Sequence, residues 1–117
     1  MESVDIFPTL NELAGIPPIK GPHPIDGLSM VDVLKDPKKR IRDHAYHAYP
    51  RAKMGRAIRT ERYRLVEWSK PETSTEYELY DYNNDSIESE NLYEKLPKVA
   101  NRLKTILKKY PKPKRRK

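Results

Sequence analysis

Residues 96–110 read Leu-Pro-Lys-Val-Ala-Asn-Arg-Leu-Lys-Thr-Ile-Leu-Lys-Lys-Tyr. Within them Leu96, Val99, Ala100, Leu103, Ile106, Leu107 and Tyr110 recur at i, i+3, i+4 and i+7 over about four turns, which places them on one face of an α-helix. Lys98, Arg102, Lys104 and Lys108 fall off that stripe, and cations in the last turn suit the negative end of the helix dipole. A helix that is apolar on one side has to cover an apolar surface. The rest of the chain must supply it.

The segments upstream do so as strands. Residues 45–49 and 56–59 are short, while 63–68 and 77–82 are rich in aromatic and branched side chains, the composition of a pleated, half-buried surface. Thr60-Glu61-Arg62 separates two of them at hairpin length, and connections this short require antiparallel neighbours, because a parallel crossover needs about a dozen residues or more. The expected fold class is α+β: a small antiparallel sheet of roughly four strands with the C-terminal amphipathic helix packed on one face and a short N-terminal helix. That first helix is read from Ile6, Phe7, Leu10, Leu13 and Ala14, starting near Asp5 so that Pro8 falls in the first turn, where its missing N–H has no partner to lose. Gly15 and Pro17-Pro18 close it. Residues 15–24 are a loop, and one or two helical turns follow Ser29.

Composition bounds the rest. The 117 residues make room for one domain; 36% are hydrophobic, 35% are charged, and 11 are proline. A core drawn from that supply is small and is expected to lean on a neighbouring surface. The net charge of +7 is local: Lys108, Lys109, Lys112, Lys114, Arg115, Arg116 and Lys117 account for it, and the other basic residues balance the acidic ones. We therefore divide the chain into a body, 1–107, and a basic disordered tail, 108–117, able to make a weak polyanion contact by counterion release. A neutral body gives no support to specific nucleic-acid recognition. There is no cysteine, hence no disulfide or thiolate chemistry. Met1-Glu2-Ser3-Val4-Asp5 offers no basic patch followed by an apolar run, so no secretory signal is expected. No apolar stretch approaches the ~20 residues that span a bilayer.

The chain offers few groups for chemistry. Four scattered glycines cannot cradle a phosphate. Asp81, Asn83 and Asp85 begin like a calcium loop, but Ser86 stands where glycine is needed and Leu92 where glutamate is needed, so an acidic turn is expected. His44 and His47, three apart in a strand, point to opposite faces and cannot share a metal. No serine has a histidine and an acid in register with it. Tyr80, Tyr82 and Trp68 read as core or interface aromatics, and Arg59 and Arg64 as anchors of neighbouring loops. No catalytic and no metal-ligating residue is assigned.

Four blocks of sequence carry a resemblance instead. Asp5-Ile6-Phe7-Pro8-Thr9-Leu10 with Leu13-Ala14-Gly15 resembles the helix that opens the C-terminal part of sulfatases. Asp26-Gly27-Leu28-Ser29-Met30, followed by Leu34, is similar to the family's DG-x-SL segment. Ala45-Tyr46, Tyr49-Pro50-Arg51, Met54 to Thr60, Tyr63-Arg64 and Trp68 resemble iduronate-2-sulfatases in particular. Glu78-Leu79-Tyr80-Asp81, Asn84-Asp85, Glu88 and Asn91-Leu92 are similar to the ELYDL-x-NDP-x-E-x-x-NL signature.

The resemblance implies a chain that is inactive alone. In sulfatases, sulfuric ester hydrolases of alkaline-phosphatase-like fold, a separate catalytic domain holds the calcium ion and the formylglycine made from a C/S-x-P-x-R motif. Ser69-Lys70-Pro71-Glu72-Thr73 starts like that motif but has Thr73 where arginine is required, so no cofactor is assigned to this chain. The implied partner is that catalytic domain, and the implied ligand an anionic sulfated sugar, a glycosaminoglycan unit in the iduronate-2-sulfatase case. The implied role is to shape the pocket rim, with His47, Tyr49, Arg51 and Lys53 as substrate-rim candidates. Family parents are usually exported, periplasmic or lysosomal. Two other readings stand beside this one: a stand-alone module for anionic glycans, and a nonspecific polyanion or nucleic-acid binder acting through the tail. If the docking surface is left bare, an exposed apolar patch and self-association are expected.

Overall fold

A computed structural model of the chain describes residues 2–18, 20–50, 54–69 and 74–112. Arg51, Lys53, the motif-like residues 70–73 and the last five residues of the basic tail lie outside them. The chain forms two compact units, Met1–Asp43 and His44–Lys117.

In the first unit a 3-10 turn, Ser3–Asp5, runs into helix α1, Ile6–Leu13. Gly15, at φ +68°, ends the helix in the left-handed region that glycine adopts without penalty. A second short helix, α2, spans Val31–Lys35. The inward side of α1 is polar. The Asp5 carboxylate accepts the backbone N–H of Glu2 at 2.9 Å and of Leu28 at 3.0 Å, and also pairs with Arg42. One turn on, the Thr9 hydroxyl donates to Asp5 O at 2.6 Å and accepts from Met30 N at 2.9 Å. A Cβ on Gly27 would lie 1.8 Å from the Val4 carbonyl oxygen, so only glycine lets the two segments close. The first two blocks of the sulfatase resemblance are thus one hydrogen-bonded clasp. The apolar side of α1 points away from it, with Phe7, Leu10 and Leu13 about half exposed.

The second unit is a four-stranded antiparallel meander in the order β1-β2-β3-β4: β1 Ala45–Pro50, β2 Met54–Arg59, β3 Tyr63–Ser69 and β4 Glu76–Asp81. Helix α3, Pro97–Leu107, follows. The expected fold class is the observed one. Ile58, Leu65 and Leu79 are cross-strand partners in one row, and with Ala100, Leu103 and Leu107 of α3 they form the buried core.

The helix is shorter than its apolar stripe. It starts at Pro97, where a fixed φ and a missing N–H suit the first turn. It ends at Leu107, where Arg56 Nη1 donates to the carbonyls of Leu107 (3.2 Å) and Tyr110 (3.0 Å). Beyond it, Tyr110 stacks on Tyr46 at 4.3 Å between ring centroids and meets His44 Nε2 through its hydroxyl at 2.7 Å. β4 stops one residue earlier than its composition suggests. Asp81 O accepts from the backbone of Asn84 and Asp85, and its carboxylate accepts Asn83 N at 3.2 Å, turning the chain.

Candidate functional site on the sheet face opposite helix α3

Strand alternation puts Ala45, His47 and Tyr49 on the face that α3 does not cover, beside Arg59, Ala57 and Gly55 of β2. β3 adds Arg64, Val66 and Trp68, and β4 adds Tyr80 and Glu78. Of the four rim candidates, His47 and Tyr49 are therefore brought together, with near-parallel rings 6.3 Å apart. His47 is exposed and Tyr49 half-buried.

Tyr49, Gly55 and Trp68 share one cross-strand row. A Cβ on Gly55 would fall 2.4 Å from the Trp68 ring, so the glycine lets the indole lie over β2 toward Tyr49, 6.1 Å away. The result is an aromatic strip across the end of the sheet.

A polar network continues from the strip. Arg64 Nη1 donates to both oxygens of Glu88 at 2.6 and 2.8 Å, and its Nη2 donates to the Tyr49 hydroxyl at 3.2 Å. Glu88 also accepts the Tyr82 hydroxyl, and Arg59 stacks over the Tyr82 ring at 3.5 Å. Burial tends to raise the Glu88 carboxyl, but the Tyr82 hydroxyl and the Arg64 guanidinium outweigh it and hold the group below its ordinary value. Tyr80 is pushed up to about 12 by burial and by Glu78 beside it. These partners bear out Arg59 and Arg64 as loop anchors. Arg64 fastens the turn that carries Glu88, and Arg59 donates to the carbonyls of Thr60 and Glu61.

The acidic signature after β4 is architectural. Asp81 accepts Arg62 Nε and Nη2, both at 2.8 Å, and Asn84 Nδ2 at 2.9 Å. Asp85 accepts Ile87 N, the Ser89 hydroxyl and Glu90 N. Asn91 Oδ1 takes Leu79 N at 3.0 Å while its amide donates to Tyr77 O, so its side chain extends the β4 edge. With their oxygens so engaged, Asp81 and Asp85 do not fit a calcium ion. Among the described residues no group of three or more His, Asp or Glu side chains is placed to hold a metal. Nor is any described helix long and apolar enough to cross a membrane.

Sequence reading missed the pair buried on the α3 side. Arg56 Nε meets Glu67 at 2.6 Å, and Tyr77 donates its hydroxyl to Glu67 at 3.0 Å. The arginine and the glutamate sit opposite each other in the β2–β3 register, which the placing of a hairpin at 60–62 does not by itself fix.

Comparison with known proteins fits this architecture. The family "N-sulphoglucosamine sulphohydrolase, C-terminal" matches residues 1–113. An uncharacterized sulfatase of Schizosaccharomyces pombe is 36% identical over 110 residues, covering 86% of this chain and 19% of its own length. A protein solved in complex with its substrate, D-glucosamine-2-N,6-O-disulfate, matches with a TM-score of 0.74 and 27% identity over 90% of this chain and 22% of that one. The phosphonate monoester hydrolase of Agrobacterium radiobacter shares the fold at 24% identity and a TM-score of 0.64, over 89% of this chain and 23% of that one. The chain spans about a fifth of the length of such relatives. It belongs to the N-sulphoglucosamine sulphohydrolase C-terminal family, as a C-terminal subdomain of the sulfatase kind.

Proposed function

We propose that this chain packs on the catalytic domain of a sulfuric ester hydrolase and shapes the rim of a pocket for an anionic sulfated sugar. On this reading iduronate-2-sulfatase is the finer likeness, and the chain turns over no substrate alone. The observation that carries it is the apolar surface of the first unit. Val4, Ile6, Phe7, Leu10, Leu13, Ile16, Ile25, Leu28 and Leu34 are all exposed, whereas Ile87 is the one such side chain in the second unit among the described residues. A cavity of about 370 Å³ lined by Pro8, Asn11, Glu12, Ile16, Pro18 and Ile25 adjoins that surface. Apolar area of this kind marks an interface, and a catalytic domain is what the remaining four-fifths of the relatives would supply.

The substrate class is supported by the relative solved with a disulfated glucosamine and by the aromatic strip with the exposed His47 at its end. Rings of this kind stack on sugar faces, and cations at a rim draw anions toward it. Arg51 and Lys53 would supply such cations. The calcium ion and formylglycine belong, in this proposal, to the partner domain.

The purified chain should release no sulfate from a chromogenic sulfate ester, and should bind D-glucosamine-2-N,6-O-disulfate weakly, with an affinity that survives deletion of residues 113–117, a cut that spares the packed Tyr110. Sulfate release by the chain alone would overturn the proposal. Binding that vanishes with the tail would shift the reading to nonspecific polyanion contact.

A further inference from the structure

We propose that Arg64, clamped by Glu88, is a positioning residue that holds the Tyr49 phenol at the pocket rim and so couples the turn after β4 to the substrate side of the sheet. The inference rests on the rim reading above. Three observations carry it. Arg64 divides its guanidinium between two partners that lie on different elements, Tyr49 at the end of β1 and Glu88 in the 82–92 turn. The planar fork of arginine presents separate nitrogens to the two in a fixed geometry, whereas a lysine ammonium offers one compact donor centre. Second, Tyr49 stands two rows away from Arg64 across the sheet, with the small Ala57 in the row between. The phenol therefore lies along the face, and its hydroxyl contact with Arg64 fixes its direction.

Third, Glu88 has φ +57°, the left-handed region, and is the one non-glycine residue there among those described. That backbone conformation is unfavourable for a side chain with a Cβ and persists where surrounding contacts over-determine it. Here the contacts are Arg64 and the Tyr82 hydroxyl. A turn needed only to connect β4 to α3 would place glycine at this position. A carboxylate there places an acceptor behind Arg64.

The test uses the full chain and its single tryptophan, Trp68, which lies against Tyr49. Tyr49→Phe removes only the hydroxyl, and Arg64→Lys keeps the charge but loses the fork. In a titration with D-glucosamine-2-N,6-O-disulfate followed by Trp68 emission, each variant should bind about fivefold more weakly, the usual effect of one lost hydrogen bond. The double variant should lose little more than either alone, because both changes remove the same tether. Unchanged affinity in Arg64→Lys overturns the proposal, as do losses that multiply in the double variant.

A second arm needs no ligand. With tyrosine rings carbon-13 labelled, Tyr49–Trp68 nuclear Overhauser contacts should be present in the parent and lost in Arg64→Lys. If the parent chain gives no titration, the rim reading fails, and these contacts alone judge the tether: their loss upholds it and their retention overturns it.

Discussion

Asp5 is a carboxylate with no exposed surface, and it stays charged because its surroundings replace water. Burial raises it, but the amides of Leu28 and Glu2 and then Arg42 prevail, so it lies below its ordinary value of 3.8. Stability drawn from a depressed carboxyl is fully present above the unfolded value and is lost as pH falls through the folded one. Asp5→Ala would remove the acceptor of the Leu28 and Glu2 amides and one of the two carboxylates that Arg42 pairs with, Glu2 being the other, at a cost of about 2–4 kcal/mol to the first unit. Asp5→Asn, which keeps one acceptor oxygen but turns an NH2 toward a donor where the other stood, should cost about 1–3 kcal/mol. Amide exchange at Leu28 and Met30 measures both; unaltered protection in Asp5→Ala would show the clasp to be unimportant. Gly27→Ala should be at least as damaging, since its Cβ meets backbone at 1.8 Å and no rotamer relieves it. Asp5 and Gly27 were legible as resemblance, but not as partners. Nothing local connects positions 22 residues apart.

At the scale of elements the reading went further. The 3.6-residue period of α3 and the aromatic runs of β3 and β4 are local signals, and each element formed where its side chains called for it. What escaped was the set of pairs that register alone creates. Arg56 and Glu67, opposite each other in β2 and β3, are nearly as buried as the leucines around them. Burial raises Glu67, yet Arg56 and Tyr77 hold it below its ordinary 4.5, while burial and Glu67 push Tyr77 up to about 12. Removing one member strands the other. Arg56→Met is expected to cost about 3 kcal/mol or more, and Arg56→Met with Glu67→Leu to recover part of it, the bonds to the Leu107 and Tyr110 carbonyls and from the Tyr77 hydroxyl staying lost. Denaturant unfolding followed by Trp68 emission reads both, and a double variant no better than the single one would refute the stranded-charge account. Leu103→Ala, at the centre of the α3 interface, should cost about 2–5 kcal/mol by the same measurement.

For the whole molecule, Asp5, Glu67, Asp81, Asp85 and Glu88 are all held below their ordinary values. The unfolded chain therefore binds more protons than the folded one at acid pH. Thermal midpoints should hold from pH 7 to about 5 and fall steeply between about 4.5 and 3; a flat profile across that interval would mean these carboxylates contribute nothing. The apolar surface of the first unit predicts self-association of the isolated chain. Sedimentation coefficients should rise with concentration, and Leu10→Glu with Leu13→Glu should abolish the rise while leaving the second unit's melt unchanged. The thin apolar supply had announced a core that leans on a neighbour. Which surface would lean was not legible, because α1 looks like any amphipathic helix until Asp5 and Thr9 are seen to take its inward side.

The plain β1-β2-β3-β4 order bears on how the second unit is made. Every strand leaves the ribosome beside the one it pairs with, so the sheet can assemble hairpin by hairpin with little search. Ile58, Leu65 and Leu79, however, have no cover until Leu103 and Leu107 have been synthesised. Until then the nascent polypeptide carries a sticky half-core, a natural customer for a chaperone.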